Sequence, residues 1–277
     1  MRVAGPEGIP LGAALRSDVF LKSKLQKSNR FSNERISMKI FTLVTVLFLA
    51  LSLNARSQVS SAQQLIITIT DDWNSNKGTV YLFDRTKSGW KKQRGEISVS
   101  IGEYGLAWGN GLHTKQQGEY IKKEGDMRSP AGIFELDSVL YGLDPTRPEG
   151  VRYPYRHLSE RTVCVDDTAS ASYNRVFEED TLKRDWSSSE QMARVVPDYK
   201  YVLVIRHNPL REKGNGSCIF FHVNNVPTSG CTSMDEEEML SILHWLDPRR
   251  KALVIQLPHS EYHRLRSEWN LPMLLNN

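Results

Sequence analysis

Residues 217–257 have the sequence SCIFFHVNNVPTSGCTSMDEEEMLSILHWLDPRRKALVIQL, and this stretch decides the fold class. The apolar run 217–223 predicts a strand with His222 near its end, where the side chain points into a site or a core. A turn-rich loop containing Cys231 follows, then an amphipathic helix, and the apolar run 252–257 predicts a second strand. The local order is therefore strand, loop, helix, strand.

The helix has a marked start and end. Ser233 and Glu236 fit a capping box, and acidic residues crowd the first turn, where the helix dipole favours negative charge. The apolar positions that fall on one face are Met239, Leu240, Leu243 and Leu246. Asp247-Pro248 ends the helix. Because Cys231 lies just ahead of the N-terminus, we expect the dipole to lower the pKa of its thiol.

Short strands with Gly and Asn between them dominate the rest of the chain. Turn residues at 71–78 join two of these strands into a hairpin. The strands predicted outside the opening stretch are 65–70, 79–83, 90–94, 96–101, 133–136 and 201–205. This pattern predicts a mainly β fold with a few helices, one directly following Cys231. No repeat or long linker divides 65–277, so we expect a single domain there.

The charge of the chain is unevenly distributed. The formal net charge is +4, from 36 Lys and Arg against 32 Asp and Glu. Residues 1–57 hold nine basic and three acidic residues, a balance of +6, so residues 58–277 sum to −2. The basic excess lies outside the expected folded body, which removes the main argument for a nucleic-acid-binding surface.

The first 57 residues are expected to be an export segment. Met38-Lys39 precedes an apolar run of 14 residues, which is shorter than the roughly 20 that a comfortable membrane span needs. With the small residues Ala55 and Ser57 behind this run, 38–57 predicts a secretory signal peptide, and an uncleaved anchor is the alternative. The polar and basic stretch 1–37 is unlike the start of a signal peptide. We therefore interpret it as a doubtful extension upstream of a true start at Met38.

Cys231 and His222 have the residue types of a nucleophile and its general base. Nine positions separate them, enough for the loop to fold the imidazole back onto the sulfur, and Gly230 lets backbone amides approach a developing oxyanion. The alternative is a structural Cys beside a satisfied strand His. Export favours paired thiols, and three cysteines leave at least one unpaired. Cys164 and Cys218 either form a disulfide or are simply buried.

Four segments of the chain, in order, resemble the catalytic domain of the YkuD-type L,D-transpeptidases. The segments are KEGDMRSPAGIF (123–134), CVDD with YN (164–167, 173–174), DW (185–186), and FH with PTSGC (221–222, 227–231). The last belongs to the branch with a short His-to-Cys spacing. The resemblance covers roughly 65–257 and implies a mainly β, sandwich- or barrel-like domain that processes peptidoglycan stem peptides through a thioester.

The resemblance also implies roles for individual residues. Cys231 would be the nucleophile and His222 its base, oriented by a backbone carbonyl such as that of Val223. The amides of Gly230 and Cys231 would hold the oxyanion. The enzyme would attack the carbonyl of the third stem residue and release the terminal D-alanine.

The chain departs from the more widespread motif at two positions. Ser229 stands where that motif has a second His, and Ser233 stands where it has an Arg or Asn. Another cation must then bind the carboxylate of the donor, and Arg128 and Arg206 are the candidates. We expect Ser229 and Asp167 on the substrate side, with a turn as the alternative role for Asp167.

The sequence therefore predicts an exported L,D-transpeptidase in the periplasm or cell envelope. A carboxypeptidase with the same Cys and a non-catalytic cell-wall-binding domain are the alternatives. We expect a monomer that uses no metal or cofactor, binds no nucleic acid and meets the membrane only through its signal segment. His259 and His263 lie four residues apart, but the Glu that a zinc metalloprotease places directly after the first His is missing.

The mature N-terminus tests the export segment. We expect the protein isolated from its own cell to begin after Ala55 or near Ser57, where small residues follow the apolar run. Mass spectrometry of the intact protein and of its N-terminal peptide measures this. A mature protein that retains Arg16 to Arg35 would contradict both the start at Met38 and the cleavage.

Overall fold

The computed structural model describes residues 55–274, and strands account for most of its regular structure. They are β1 (Gln64–Thr70), β2 (Lys77–Thr86), β3 (Gly89–Lys92), β4 (Ile97–Ser100), β5 (Leu106–Trp108), β6 (Ser129–Gly142), β7 (Tyr155–His157), β8 (Thr162–Cys164), β9 (Val176–Glu178), β10 (Glu190–Gln191), β11 (Val202–Ile205), β12 (Phe220–Val223), β13 (Thr232–Met234) and β14 (Ala252–Pro258). The α-helices are α1 (55–61), α2 (Glu236–Trp245) and α3 (His259–Trp269). Short 3₁₀ turns cover Glu179–Thr181, Met192–Arg194 and Asp198–Lys200. The predicted mainly β class is confirmed.

The large sheet closes on itself as a barrel. Its path runs β1-β14-β6-β11-β12-β13-β4-β2, and β2 pairs back onto β1. Strand β1 is parallel to β14 and antiparallel to β2, so it closes the ring. All seven residues of β1 and of β14 are buried, as their β-branched, apolar sequences predict for strands covered on both faces.

The two longer helices cover the sheet with apolar faces. In α2 the buried side chains are Met239, Ile242 and Leu243, with Leu246 directly behind them. In α3 they are Tyr262, Leu265 and Trp269, spaced as one face of a helix requires. These faces join the main hydrophobic core.

Helix α2 begins later than the sequence predicts. Strand β13 lies between Cys231 and the helix, and Ser233 pairs there with His222 of β12 and Ser100 of β4. The N-cap is Asp235, and its side chain makes no capping hydrogen bond. The predicted capping box is therefore wrong, because sheet pairing takes up its first residue.

A disulfide joins a second, three-stranded sheet to the barrel. This sheet has the order β10-β8-β9, and Cys164 at the end of β8 is bonded to Cys218, with the two Cα atoms 6.0 Å apart. Strand β12 starts three residues later than predicted. Cys218 has a left-handed φ of 54°, and its amide donates to Asn174 Oδ1 at 3.0 Å, so Cys218 lies outside the strand.

The predicted N-terminal extension and most of the predicted signal segment lie outside the described residues. Within the described residues, α1 packs Ala55 and Val59 into the core. None of the helices in 55–274 is long and apolar enough to cross a membrane.

Removal of the disulfide tests how far it stabilises the fold. The paired residues are 54 positions apart, and a closed loop of that size restricts the unfolded chain by about 4 kcal/mol. We expect the Cys164→Ala/Cys218→Ala variant to lose about 2–5 kcal/mol of unfolding free energy in urea titrations.

Reductant provides the control for this variant. Dithiothreitol should lower the urea midpoint of the wild type and of Cys231→Ala, which keep the bond, and should leave the double variant unchanged. A double variant as stable as the wild type would contradict the prediction.

Candidate active site

A cavity of about 660 Å³ opens beside the disulfide, and both Cys231 and His222 line it. Four stretches of chain form its walls: the loop before β6, the residue Asp166 after β8, the segment from β10 to the turn before β11, and the segment from Ser217 to Cys231. The acidic and basic residues of its lining are Lys122, Glu124, Asp166, Glu190 and Asp198. The structure thus brings the two principal predicted residues together in one opening.

Two backbone groups hold the sulfur of Cys231. The Phe220 amide donates to Sγ over 3.3 Å, and the thiol faces the Cys218 carbonyl oxygen at 3.5 Å. Cys231 is the unpaired cysteine of the described residues. The sulfur is therefore fixed against β12 and the segment that leads into it.

Two hydroxyls hold the backbone of Cys231. Ser129 Oγ and Thr228 Oγ1 both donate to its carbonyl oxygen, at 2.9 and 2.6 Å. Thr232, the next residue, donates through Oγ1 to Gln256 Oε1 on β14 at 2.7 Å. The backbone at Cys231 is thus anchored to the barrel on both sides.

The pKa of the Cys231 thiol is raised, not lowered. Burial is the main cause, and the charge of Glu190 adds to it, whereas the Phe220 amide and Lys122 act in the opposite direction. The predicted lowering is therefore wrong. It relied on a helix N-terminus next to Cys231, and β13 separates the two.

The imidazole of His222 is held by a backbone carbonyl. Its Nδ1 lies 3.0 Å from Val223 O, the carbonyl that the family resemblance implies. This contact assigns the proton to Nδ1 and leaves Nε2 as the acceptor. Burial lowers the pKa of His222, although the bond to Val223 and the charge of Asp198 raise it, so the imidazole is neutral at pH 7. Its ring packs against Tyr199, with centroids 5.4 Å apart.

Gly230 has a backbone that requires glycine. Its φ is 149°, and a Cβ there would meet Arg128 O at 3.1 Å and Ile219 Cδ1 at 3.3 Å. The Gly230 amide donates to Thr228 Oγ1 at 3.1 Å. Its role toward an oxyanion stays a prediction.

The two arginines predicted to bind the substrate carboxylate lie outside the lining of the Cys231 cavity. The Arg128 guanidinium donates to Trp73 O, Leu106 O and Asn74 Oδ1 at 2.8–3.0 Å and stacks over Tyr120. Arg206 lines a separate cavity of about 430 Å³ and lies 3.7 Å from Glu135. Neither guanidinium is on the wall of the Cys231 cavity, so their binding of a substrate carboxylate stays a prediction.

The two remaining predicted residues have different surroundings. Ser229 is exposed and lines the Cys231 cavity. The Asp167 carboxylate instead accepts bonds from Ala169 N at 2.8 Å and from Ser187 N and Oγ at 2.7 Å each, which lowers its pKa to about 2. This is the turn role that the sequence left open for Asp167.

Sequence reasoning gave no role to the four acids of the cavity. Glu124 and Asp166 stand inside the quoted segments KEGDMRSPAGIF and CVDD, whereas Glu190 and Asp198 stand in none of them, yet all four line the opening. Asp166 lies two residues from Cys164, and Glu190 pairs with Cys164 in the small sheet. The closeness of Asp166 to Cys164 in the sequence was a possible signal. It could not be used, because the sequence does not say which cysteine forms a disulfide with Cys164.

The residues that the structure describes contain no group of three or more His, Cys, Asp and Glu side chains arranged to hold a metal ion. His259 and His263 contact each other on α3, with Nε2 atoms 3.0 Å apart. They line a different cavity from Cys231.

An unpaired thiol and a neutral imidazole in one cavity have the composition of a cysteine acyl-transfer site. The model of the YkuD L,D-transpeptidase catalytic domain matches residues 72–255, about two thirds of the chain. The chain belongs to this family, as its motifs indicated, and enzymes of the family act on peptidoglycan.

Other comparisons add little. No curated protein matches the chain. A solved structure, the helical cell shape determining protein Pgp2 from Campylobacter jejuni, is similar at 12% identity and a TM-score of 0.33, over 75% of this chain and 56% of that one. The chain thus spans little more than half the length of Pgp2, and so low a TM-score bears on neither fold nor function.

The raised pKa of Cys231 predicts a slow thiol. In the protein without substrate, we expect the alkylation rate with iodoacetamide to rise about tenfold per pH unit up to pH 9, because the thiolate fraction is still rising there. Mass spectrometry locates and times the label, and Cys231→Ala should take none. A rate that levels off between pH 6 and 7 would contradict the raised pKa.

Proposed function

We propose that the protein is an exported L,D-transpeptidase that links Cys231 to the third residue of a peptidoglycan stem peptide as a thioester. The observation that supports this most is the shared cavity of the Cys231 thiol and the His222 imidazole, inside the region that matches the family. Export rests on the predicted signal segment at 38–57.

The first half-reaction needs a base because burial opposes the thiolate. In the proposed step, His222 Nε2 takes the Cys231 proton as Sγ attacks the carbonyl carbon of the third stem residue. The amide of Cys231 stabilises the oxyanion together with that of Gly230, which must first leave its bond to Thr228 Oγ1. The intermediate collapses to the thioester, the peptide bond to D-alanine breaks, and His222 returns the proton to the leaving amine.

The group that attacks in the second half-reaction decides which product forms. An amine of a second stem attacks the thioester carbonyl and gives up a proton to His222, the C–S bond to Cys231 breaks, the sulfur takes the proton back, and the new amide bond is the cross-link. Water in place of the amine gives a tripeptide stem, which is carboxypeptidase activity. Ser229, which lines the cavity, is proposed to contact the stem in both cases.

Incubation with a disaccharide-tetrapeptide muropeptide tests the proposal. We expect mass spectrometry to show a cross-linked dimer and free D-alanine. Removal of the nucleophile in Cys231→Ala should abolish turnover, and His222→Gln should reduce it by about 10²–10⁴-fold, as for loss of a general base.

The urea midpoint of each variant serves as the folding control. A tripeptide product without dimer would show that the protein hydrolyses the thioester, and the proposed activity would then be that of a carboxypeptidase. An unchanged muropeptide would favour a non-catalytic wall-binding domain, and full turnover by Cys231→Ala would overturn the mechanism.

A further inference from the structure

We infer that His259 and His263, together with Met273, form a copper-binding site at the start of α3. The site lies outside the proposed reaction, because these residues line a different cavity from Cys231 and His222. Three observations support it: the facing nitrogens of the two imidazoles, their accessibility on a fixed helix, and a thioether in the same cavity.

The two imidazoles have the spacing of two ligands of one ion. The Nε2 atoms of His259 and His263 are 3.0 Å apart. Two nitrogens that bind the same metal ion at about 2.0–2.1 Å are about 2.8–3.4 Å from each other, over the range from right-angled to tetrahedral geometry. Small rotations of the two rings therefore turn both nitrogens toward one ion, with no change in the backbone.

The backbone of α3 fixes this spacing. Residues four positions apart lie on one side of a helix, one turn from each other. Another face of the same helix packs Tyr262, Leu265 and Trp269 into the core, so α3 is held against the barrel. Both imidazoles are exposed, so an ion in solution reaches them. The two ligands are thus preorganised as well as accessible.

A thioether decides which metal fits best. Met273 lines the same cavity of about 320 Å³ as the two histidines and is 59% exposed. Imidazole suits zinc, nickel and copper, whereas a thioether selects copper. Among the divalent ions of the first transition row, Cu²⁺ also binds nitrogen ligands most tightly. Two imidazoles and one thioether therefore favour copper over zinc and nickel.

Arg266 opposes a cation in this cavity. It lies three residues after His263 and lines the same cavity. Its guanidinium repels a metal ion bound nearby. Removal of this charge is therefore expected to strengthen copper binding, which gives a variant whose effect has the opposite sign to that of a lost ligand.

Copper titration of the untagged protein in its Cys231→Ala form tests the inference, because this form lacks the free thiol that Cu²⁺ oxidises. We expect calorimetry to show one tight Cu²⁺ per chain, and electron paramagnetic resonance to show coupling to two nitrogens. His259→Asn and His263→Asn should each weaken binding by about tenfold or more, since even the loss of a residue that orients a ligand has this effect. Arg266→Gln should tighten binding. With ascorbate present to supply Cu⁺, Met273→Leu should weaken binding by about tenfold.

His157→Asn is the matched control, since His157 is also exposed but lies outside this cavity. It should bind copper as its parent does, and urea midpoints measured without copper show whether each variant is folded. A His263→Asn variant that binds Cu²⁺ as tightly as its parent would overturn the site. Zn²⁺ bound as tightly as Cu²⁺, or a Met273→Leu variant with unchanged affinity for Cu⁺, would overturn the assignment to copper. None of these readouts uses turnover, so their failure leaves the proposed function untouched.

Discussion

The covalent bond between Cys164 and Cys218 is the constraint on which the site depends. It connects the small sheet to the segment that enters β12, and this segment supplies both the carbonyl of Cys218 and the amide of Phe220 that hold the sulfur of Cys231. Without the bond, the wall that carries Glu190 would be attached to the barrel only by the polypeptide chain at its two ends and by non-covalent contacts. The disulfide therefore links two walls of the cavity, in addition to the stabilisation of the fold that we predict for it.

The pairing also decides which thiol stays reactive. Among the three cysteines, two pair with each other and Cys231 is left over. Burial keeps Cys231 protonated, and a protonated thiol reacts slowly with oxidants. In the proposed mechanism, the sulfur becomes a thiolate only when His222 accepts the proton, so the same burial would protect the resting thiol of an exported enzyme and leave it reactive toward a bound substrate.

The local sequence predicted the long buried strands well. It did not predict the elements whose positions depend on contacts between distant parts of the chain. The runs at 65–70, 252–257 and 201–205 became β1, β14 and β11 nearly as expected, because β-branched, apolar sequences fit buried strands. Helix α3 was missed, since its apolar residues are sparse and its polar face dominates the sequence. Strand β13 was missed because Ser233 gains its pairing partners from β12 and β4, which no local pattern shows.

The site shows the same division between local and distant information. His222 and Cys231 were predicted to meet because residue type and motif point to them and only nine positions separate them, and both line one cavity. Glu190 was not found, since its place in the cavity depends on its pairing with Cys164 and on a disulfide to a residue 54 positions away from that cysteine. A single sequence does not contain those two contacts.

The two departures from the widespread motif acquire a physical meaning from these contacts. Ser233 donates through Oγ to Val226 O at 3.1 Å, which pins the loop between His222 and Cys231 where the other form of the motif has a charged or amide side chain. The acidic residues around the sulfur outnumber its single lysine, and that lysine is already paired. Among the described residues that line it, such a cavity holds no unpaired cation for the carboxylate of a donor stem. The two departures therefore leave the sulfur and the imidazole in place and remove the polar side chains that surround them in the other form of the motif.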